Sequence, residues 1–326
     1  MRAVLCRTRG GPDDLSIEDV APPVPGPGQV VIGVRAAGLN FADTLLIAGK
    51  YQERPAFPFS PGMEVSGDIL ACGPGVTTLA RGDRVMAVLG YGGFAEQALA
   101  PVERVLKMPA SMDYTVAAGF PVAYGTSHVG LVHRVGLKAG ETLLVHGAAG
   151  GVGLTAVEIG KVLGATVIAT ASSADKLAVA RSYGADHLID YSREDVRERV
   201  LAATGGRGAD VVYDPVGGDA FEASLRCTAF EGRIVVVGFA SGKIPQIPAN
   251  HLLVKNISAV GFYWGAYMKA NPAVIRNSFD ALLNWFTEGK LRPHVSQRFT
   301  LEEVPTALKL LAARKSTGKI VLTVGG

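Results

Sequence analysis

A chain of 326 residues with 48% hydrophobic and 19% charged side chains can bury a large core and is neither disordered nor fibrous in composition. A formal net charge of +3 with no Lys/Arg tract gives no footprint for nucleic acid, so none is expected as a partner. Three widely separated cysteines (Cys6, Cys72, Cys227) argue against a disulfide framework, and no apolar run approaches the roughly 18 residues of a membrane span.

The opening stretch MRAVLCRTRGG has no apolar segment of signal-peptide length and reads as a strand, which makes the expected location cytoplasmic and a membrane partner unexpected. The first third is rich in Gly and Pro. Short β-like runs at Val30 to Val34, Val65 to Leu70 and Arg84 to Leu89 alternate with turn signals such as PGPG and RGDR, and helical patterning is scarce until about Tyr114.

From Glu141 the texture changes. Thr142 to His146 is a short apolar strand, followed by a helix over Gly151 to Leu163 with Val152, Ala156, Ile159 and Leu163 on one face. The alternation continues with a strand at Ala165 to Ala171, a helix at Ala174 to Tyr183 and a strand at His187 to Asp190. A charged helix over Arg193 to Ala203, a strand at Asp210 to Tyr213 and a helix at Ala220 to Ala229 follow. Strands at Arg233 to Gly238 and Ile257 to Phe262 complete the block. Such alternation predicts parallel βαβ units in a doubly wound sheet, an α/β fold. An amphipathic helix over Ala273 to Glu288, a second helix and a closing strand at Lys319 to Val324 finish the chain.

The first turn of this block reads VHGAAGGVG, Val145 to Gly153, between a strand and a helix. Gly147, Gly150 and Gly153 are spaced so that backbone can approach a pyrophosphate and the helix can pack closely. The N–H groups of Ala149, Gly150, Gly151 and Val152 are the expected phosphate donors, supported by the helix dipole. An NAD-preferring loop carries an acid about 20 residues on to bind the ribose 2′-OH. Here the stretch is Thr170, Ala171, Ser172, Ser173, with Lys176 on the next helix. Hydroxyls and a cation suit a 2′-phosphate and point to NADPH; plain N-capping is the other role open to the two serines.

Together with AAGLNFADTLLIAGKY (Ala36 to Tyr51), PGMEVSG, GDRV, GGFAE, EGRIVVVGFASG, KNISAVGFYWGAY and STGKIVLTV, these motifs resemble the medium-chain dehydrogenase/reductase superfamily. Within it the chain is most similar to the zinc-free quinone oxidoreductases. The resemblance runs essentially end to end. It implies a Rossmann dinucleotide-binding domain over 123–265, inserted in a strand-rich GroES-like catalytic domain of 1–122 plus 266–326. Zinc members carry a ligand cysteine where this chain has Asn40 and a histidine where it has Met63, so no metal is expected.

Several site residues follow from the resemblance alone. It places Asn40 at the nicotinamide ribose and Thr126 on the cofactor, with Gly238, Phe239 and Ala240 lining the nicotinamide and Tyr191 near the adenosine phosphate. Asp43 has two roles open to it, orienting the Asn40 loop or starting a helix. Arg314 or Lys315 falls near the C-terminal cation that relatives turn toward the cofactor. Tyr51 sits where related enoyl-thioester reductases keep a proton donor, and it either serves in that way or packs against the substrate cleft. Relatives commonly pair the edge strands of their cofactor domains, here Ile257 to Phe262, which implies a homodimer.

The expected activity is metal-free hydride transfer from NADPH to a quinone. A small-molecule enone or enoyl thioester is the alternative acceptor, and NADPH binding with little turnover is a third possibility.

Overall fold

The computed structural model describes residues 1–325, and the chain divides into two compact units, Met1–Val122 with Pro293–Gly326, and Ala123–Arg292. In the first unit, β1 (Arg2–Cys6) and β2 (Leu15–Asp19) form an antiparallel pair. The long β3 (Gln29–Gly38) is bonded along its length to β4 (Glu64–Cys72) and β6 (Gln97–Pro101), and β5 (Arg84–Val88) with β7 (Val105–Lys107) extends the sheet beyond β4. Val30, Ile32, Val65 and Ile69 fill its core, as period-two alternation on these strands requires, joined by Phe94 from the connection between β5 and β6.

The second unit contains a six-stranded, wholly parallel sheet. Its strands are β8 (Thr142–Val145), β9 (Thr166–Ala171), β10 (His187–Asp190), β11 (Ala209–Asp214), β12 (Thr228–Val236) and β13 (Ser258–Gly261). The spatial order is β10-β9-β8-β11-β12-β13, the doubly wound order with its switch point between β8 and β11. Leu144, Ile168, Val212 and Ile234 from the central strands pack with Phe221 from the helix Asp219–Cys227. The chain then returns to the first unit with β14 (Val295–Thr300) and β15 (Lys319–Thr323), and β15 pairs with β3.

Three expectations need correction. The first third carries a helix, Phe41–Ile47, hidden in the sequence by its seven-residue length. The helix expected over Ala220 to Ala229 stops at Cys227 because β12 starts at Thr228, five residues before the expected strand. The return to the first unit comes at Pro293 rather than at 266. Trp264–Ala270 and Pro272–Thr287 stay with the second unit because Trp264 stacks edge-on against Phe279 at 6.3 Å and the Ser278 hydroxyl bonds His128 Nδ1 at 2.9 Å.

His128 is buried by that helix, and burial holds its imidazole neutral with a pKa pushed down to about 4. The unfolded chain therefore binds more protons between pH 6.5 and 4, and stability is lost as pH falls through that window. We expect about 3 kcal/mol of the loss to come from His128. Replacing it with Gln should flatten the dependence of unfolding free energy on pH by about that amount in denaturant titrations.

Candidate dinucleotide site

The carboxyl edge of the parallel sheet gathers the loops that the sequence analysis singled out. Gly147 turns with φ of +58°, which places the Gly150 N–H 2.9 Å from the Gly147 carbonyl and starts the helix Gly151–Val162 at Gly150. The helix begins very close to the strand end. A Cβ on Gly153 would lie 2.2 Å from the Gly147 carbonyl oxygen, so only glycine fits there. Past Gly150, whose own N–H is taken by Gly147, the first-turn N–H groups have no acceptors within the helix, the arrangement that takes an anion.

Neighbouring loops are tied to this one by backbone hydrogen bonds. Ala148 N–H donates to Thr170 at 3.0 Å, His146 N–H to Tyr213 at 3.1 Å and Tyr191 N–H to Ala171 at 3.1 Å. On the other flank the Ala240 N–H reaches the Pro215 carbonyl at 3.0 Å and Gly238 N–H the Asp214 carbonyl at 3.4 Å. The expected residues Ala149 to Val152, Ser172, Ser173, Tyr191 and Gly238 to Ala240 thus share one edge. Phe239 and Tyr191 keep their rings exposed.

Ser173 caps the helix Ala174–Ser182, as the alternative role for it anticipated. Its hydroxyl accepts the Lys176 N–H at 3.4 Å, while Lys176 Nζ donates to Ser172 Oγ at 3.2 Å. Two hydroxyls and an ammonium therefore cluster at the end of β9, where an NAD-preferring loop keeps its carboxylate. Thr126 is buried on the helix Pro121–His128. Its neighbour Ser127 bonds the Val152 carbonyl at 2.9 Å and Thr155 at 2.8 Å, which fastens that helix to the glycine loop.

Under the loop lie polar groups that the sequence did not announce. His146, buried, bonds Thr170 at 3.1 Å and Ser224 at 2.8 Å, and burial lowers its pKa. Asp214 ends β11; its Oδ1 accepts the N–H groups of Val216 and Gly217 at 2.8 and 2.9 Å, while its buried Oδ2 has no partner among the described residues.

In the first unit, the Asp43 carboxylate accepts the Asn40 N–H at 2.8 Å and the Gly62 N–H at 3.2 Å, so it both starts the helix and ties the loop. Complete burial outweighs these donors and pushes its pKa up to about 7. Tyr51, just beyond this helix, packs half-buried on the core. Arg314 is exposed, in left-handed backbone after the helix Val304–Ala312. A further C-terminal cation, Lys319, is buried, and the sequence analysis missed it along with Glu64. Its ammonium donates to Leu39 O, Asn40 Oδ1 and Glu64 Oε1 at 2.6, 2.7 and 2.8 Å. Each heads a strand, where a charge reads as solvated.

This is the architecture of a nicotinamide-type oxidoreductase, and comparison with known proteins agrees. The family described as alcohol dehydrogenase GroES-like domain matches residues 26–110, and zinc-binding dehydrogenase matches 151–288. The chain is 46% identical to a quinone oxidoreductase-like protein 2 homolog of Nematostella vectensis, over 98% of this chain and 88% of that protein. It is 38% identical to a quinone oxidoreductase of Pseudomonas aeruginosa, over 96% of each. Quinone oxidoreductase of Escherichia coli complexed with NADPH superposes with a TM-score of 0.92 at 28% identity, covering 99% of this chain and 100% of that one. The chain belongs to the medium-chain dehydrogenase/reductase superfamily, among its quinone oxidoreductase-like members.

The zinc in one family description does not suit the residues present. Zinc takes thiolate, imidazole or carboxylate donors in a tetrahedron. At the two positions to which the resemblance assigns the ligands of zinc members stand the Asn40 amide, bonded on both sides, and the buried thioether of Met63, with the Lys319 ammonium alongside Asn40. Among the described residues no three His, Cys, Asp or Glu side chains come together to hold a metal.

Gly153→Ala tests the close approach. The added methyl should cost about 1–3 kcal/mol by overpacking, read from denaturant unfolding, and should weaken dinucleotide binding in the same protein. An alanine variant of unchanged stability and affinity would contradict it.

Proposed function

We propose that the protein is an NADPH-dependent quinone reductase. The observation that carries this is the switch-point loop of open N–H groups beside a 2′-side cluster of Ser172, Ser173 and Lys176 with no acid in it. Two solved quinone oxidoreductases that resemble the chain, from Escherichia coli and Thermus thermophilus, are complexed with NADPH, which supports the same cofactor here.

The residues fit that group. The loop from Ala149 to Val152 would take the pyrophosphate, Lys176 with the two serines the 2′-phosphate, and Tyr191 the adenosine side. Thr126, Gly238, Phe239 and Ala240 would bound the nicotinamide end, with Asn40 as its hydrogen-bond partner at the ribose and Arg314 as a further cation. When bound, NADPH supplies a hydride from its nicotinamide. The chain's own part is to orient the reactants and exclude water. A hydride-reduced quinone bears a phenol-like oxyanion with a pKa of about 10, so water can protonate it and no dedicated acid is required.

A second acceptor class keeps one observation in its favour. Tyr51 sits half-buried at the end of the helix that Asn40 opens, where a carbon acid formed from an enone or enoyl thioester could take a proton. We propose further that two copies pair through the edge strand β13. Its neighbours Phe230, Leu253 and Val254 are among the most exposed large apolar residues, at 71, 76 and 75%. A cytoplasmic location fits three free cysteines, two of them buried.

Lys176→Glu should weaken NADPH at least tenfold and NADH little, in fluorescence titrations of each; equal losses would remove Lys176 from the 2′ position. Steady-state turnover of a naphthoquinone, an enal and an enoyl-CoA with NADPH tests the acceptor, and the quinone should be fastest. Loss of alkene turnover alone in Tyr51→Phe would favour the second acceptor class.

A further inference from the structure

The strongest unassigned feature is the buried polar corner of the first unit. Lys319 is 8% exposed, Glu64 0% and Asn40 9%. All three ammonium hydrogens of Lys319 are used, on Leu39 O, Asn40 Oδ1 and Glu64 Oε1. Glu64 Oε1 also accepts from Asn40 Nδ2 at 2.9 Å, and its Oε2 accepts the Val122 N–H at 2.8 Å. The corner is tightly packed, because a Cβ on Gly38 would lie 2.2 Å from the Ala118 carbonyl oxygen and 2.7 Å from Glu64 Oε1.

An Asn side chain has two nearly isosteric ends that differ only in polarity. Here a donor-only ammonium faces the oxygen and an acceptor-only carboxylate faces the nitrogen. Flipping the amide would set N–H against ammonium and oxygen against carboxylate, both repulsive in a desolvated corner. One amide hydrogen is spent on Glu64. The second has no acceptor among the described residues, and Asn40 retains slight exposure.

We propose that Lys319 is a positioning residue that, with Glu64, fixes the Asn40 amide in one orientation and so presents its second N–H to the cofactor. The link to the cofactor rests on the function proposed above; the lock itself does not. A lone surface ion pair would leave Asn40 free to turn. This one is buried and shares Asn40 between both charges.

The test separates the two claims. Protein labelled with 15N on asparagine gives two side-chain signals for Asn40, assigned by their loss in Asn40→Ala. In the wild type without cofactor, they should be sharp and widely split, as expected of one fixed amide. In Lys319→Met/Glu64→Gln, where neither side is charged, they should broaden or collapse toward exchange-averaged positions. Sharp, unshifted signals in that variant would overturn the lock. If the double variant does not fold, Glu64→Gln alone serves. The Lys319 ammonium still holds the Asn40 amide oxygen there, so sharp signals are expected and averaged ones would contradict the assignment to Lys319.

Kinetics then test the consequence. Asn40→Ala should lower kcat/KM for NADPH at least tenfold in the wild type and less than threefold in the Lys319→Met/Glu64→Gln background. Lys319→Arg should recover most of kcat/KM. Full additivity would mean that Lys319 does not act through Asn40. A wild type with locked amide signals but no quinone turnover would refute the proposed function and leave the lock standing.

Discussion

The helix that opens at Gly150 leaves the switch point of the parallel sheet with its first N–H groups facing outward, and it does so only because Gly153 sits against the Gly147 carbonyl. Were that approach looser by the width of a methyl group, the helix start would move away from the strand end. The amides would then no longer converge where the neighbouring loops from Thr170, Pro215 and Asp214 are bonded in place. The site is therefore a property of backbone packing more than of any one side chain. In the function proposed above, the side chains that decorate it would choose among dinucleotides.

The first unit solves a different problem, that of holding polar groups in a dry place. Replacing one partner of a buried ion pair commonly costs more than the pair contributes, because a charge is left without water or counter-ion. Glu64, Lys319 and Asn40 avoid that cost by bonding one another, with one Asn40 amide hydrogen left over, and Asp43 by taking two backbone N–H groups while burial shifts it toward protonation. These residues occupy the region where zinc-binding relatives keep metal ligands.

The parallel sheet was legible because each of its strands is an apolar run set between helices of ten residues or so, and the crossover rules leave few ways to wind them. Its glycine loop was legible because the motif sat between a strand and a helix, and Ser172, Ser173 and Lys176 because they fall a fixed distance beyond it. The helix Phe41–Ile47 was not, being under two turns long and marked only by Asn40 and Asp43. Nor was the Glu64–Lys319 pair, whose members stand 255 residues apart and meet because β3 runs between β4 and β15. A one-dimensional pattern cannot tell a strand-leading charge that faces water from one that faces a partner across a third strand. The domain return at Pro293 escaped for a related reason, since the amphipathic helix Pro272–Thr287 carries no sign of which unit will cover it.

The central claim is that backbone amides at the switch point grip a dinucleotide phosphate. Amide hydrogen exchange resolved to single residues, with and without saturating NADPH, tests it most directly. Strong added protection at Ala149, Gly151 and Val152, with smaller protection around Ser173 to Lys176, is the result expected. Exchange at those amides that is indifferent to the cofactor, with protection elsewhere or nowhere, would contradict the account.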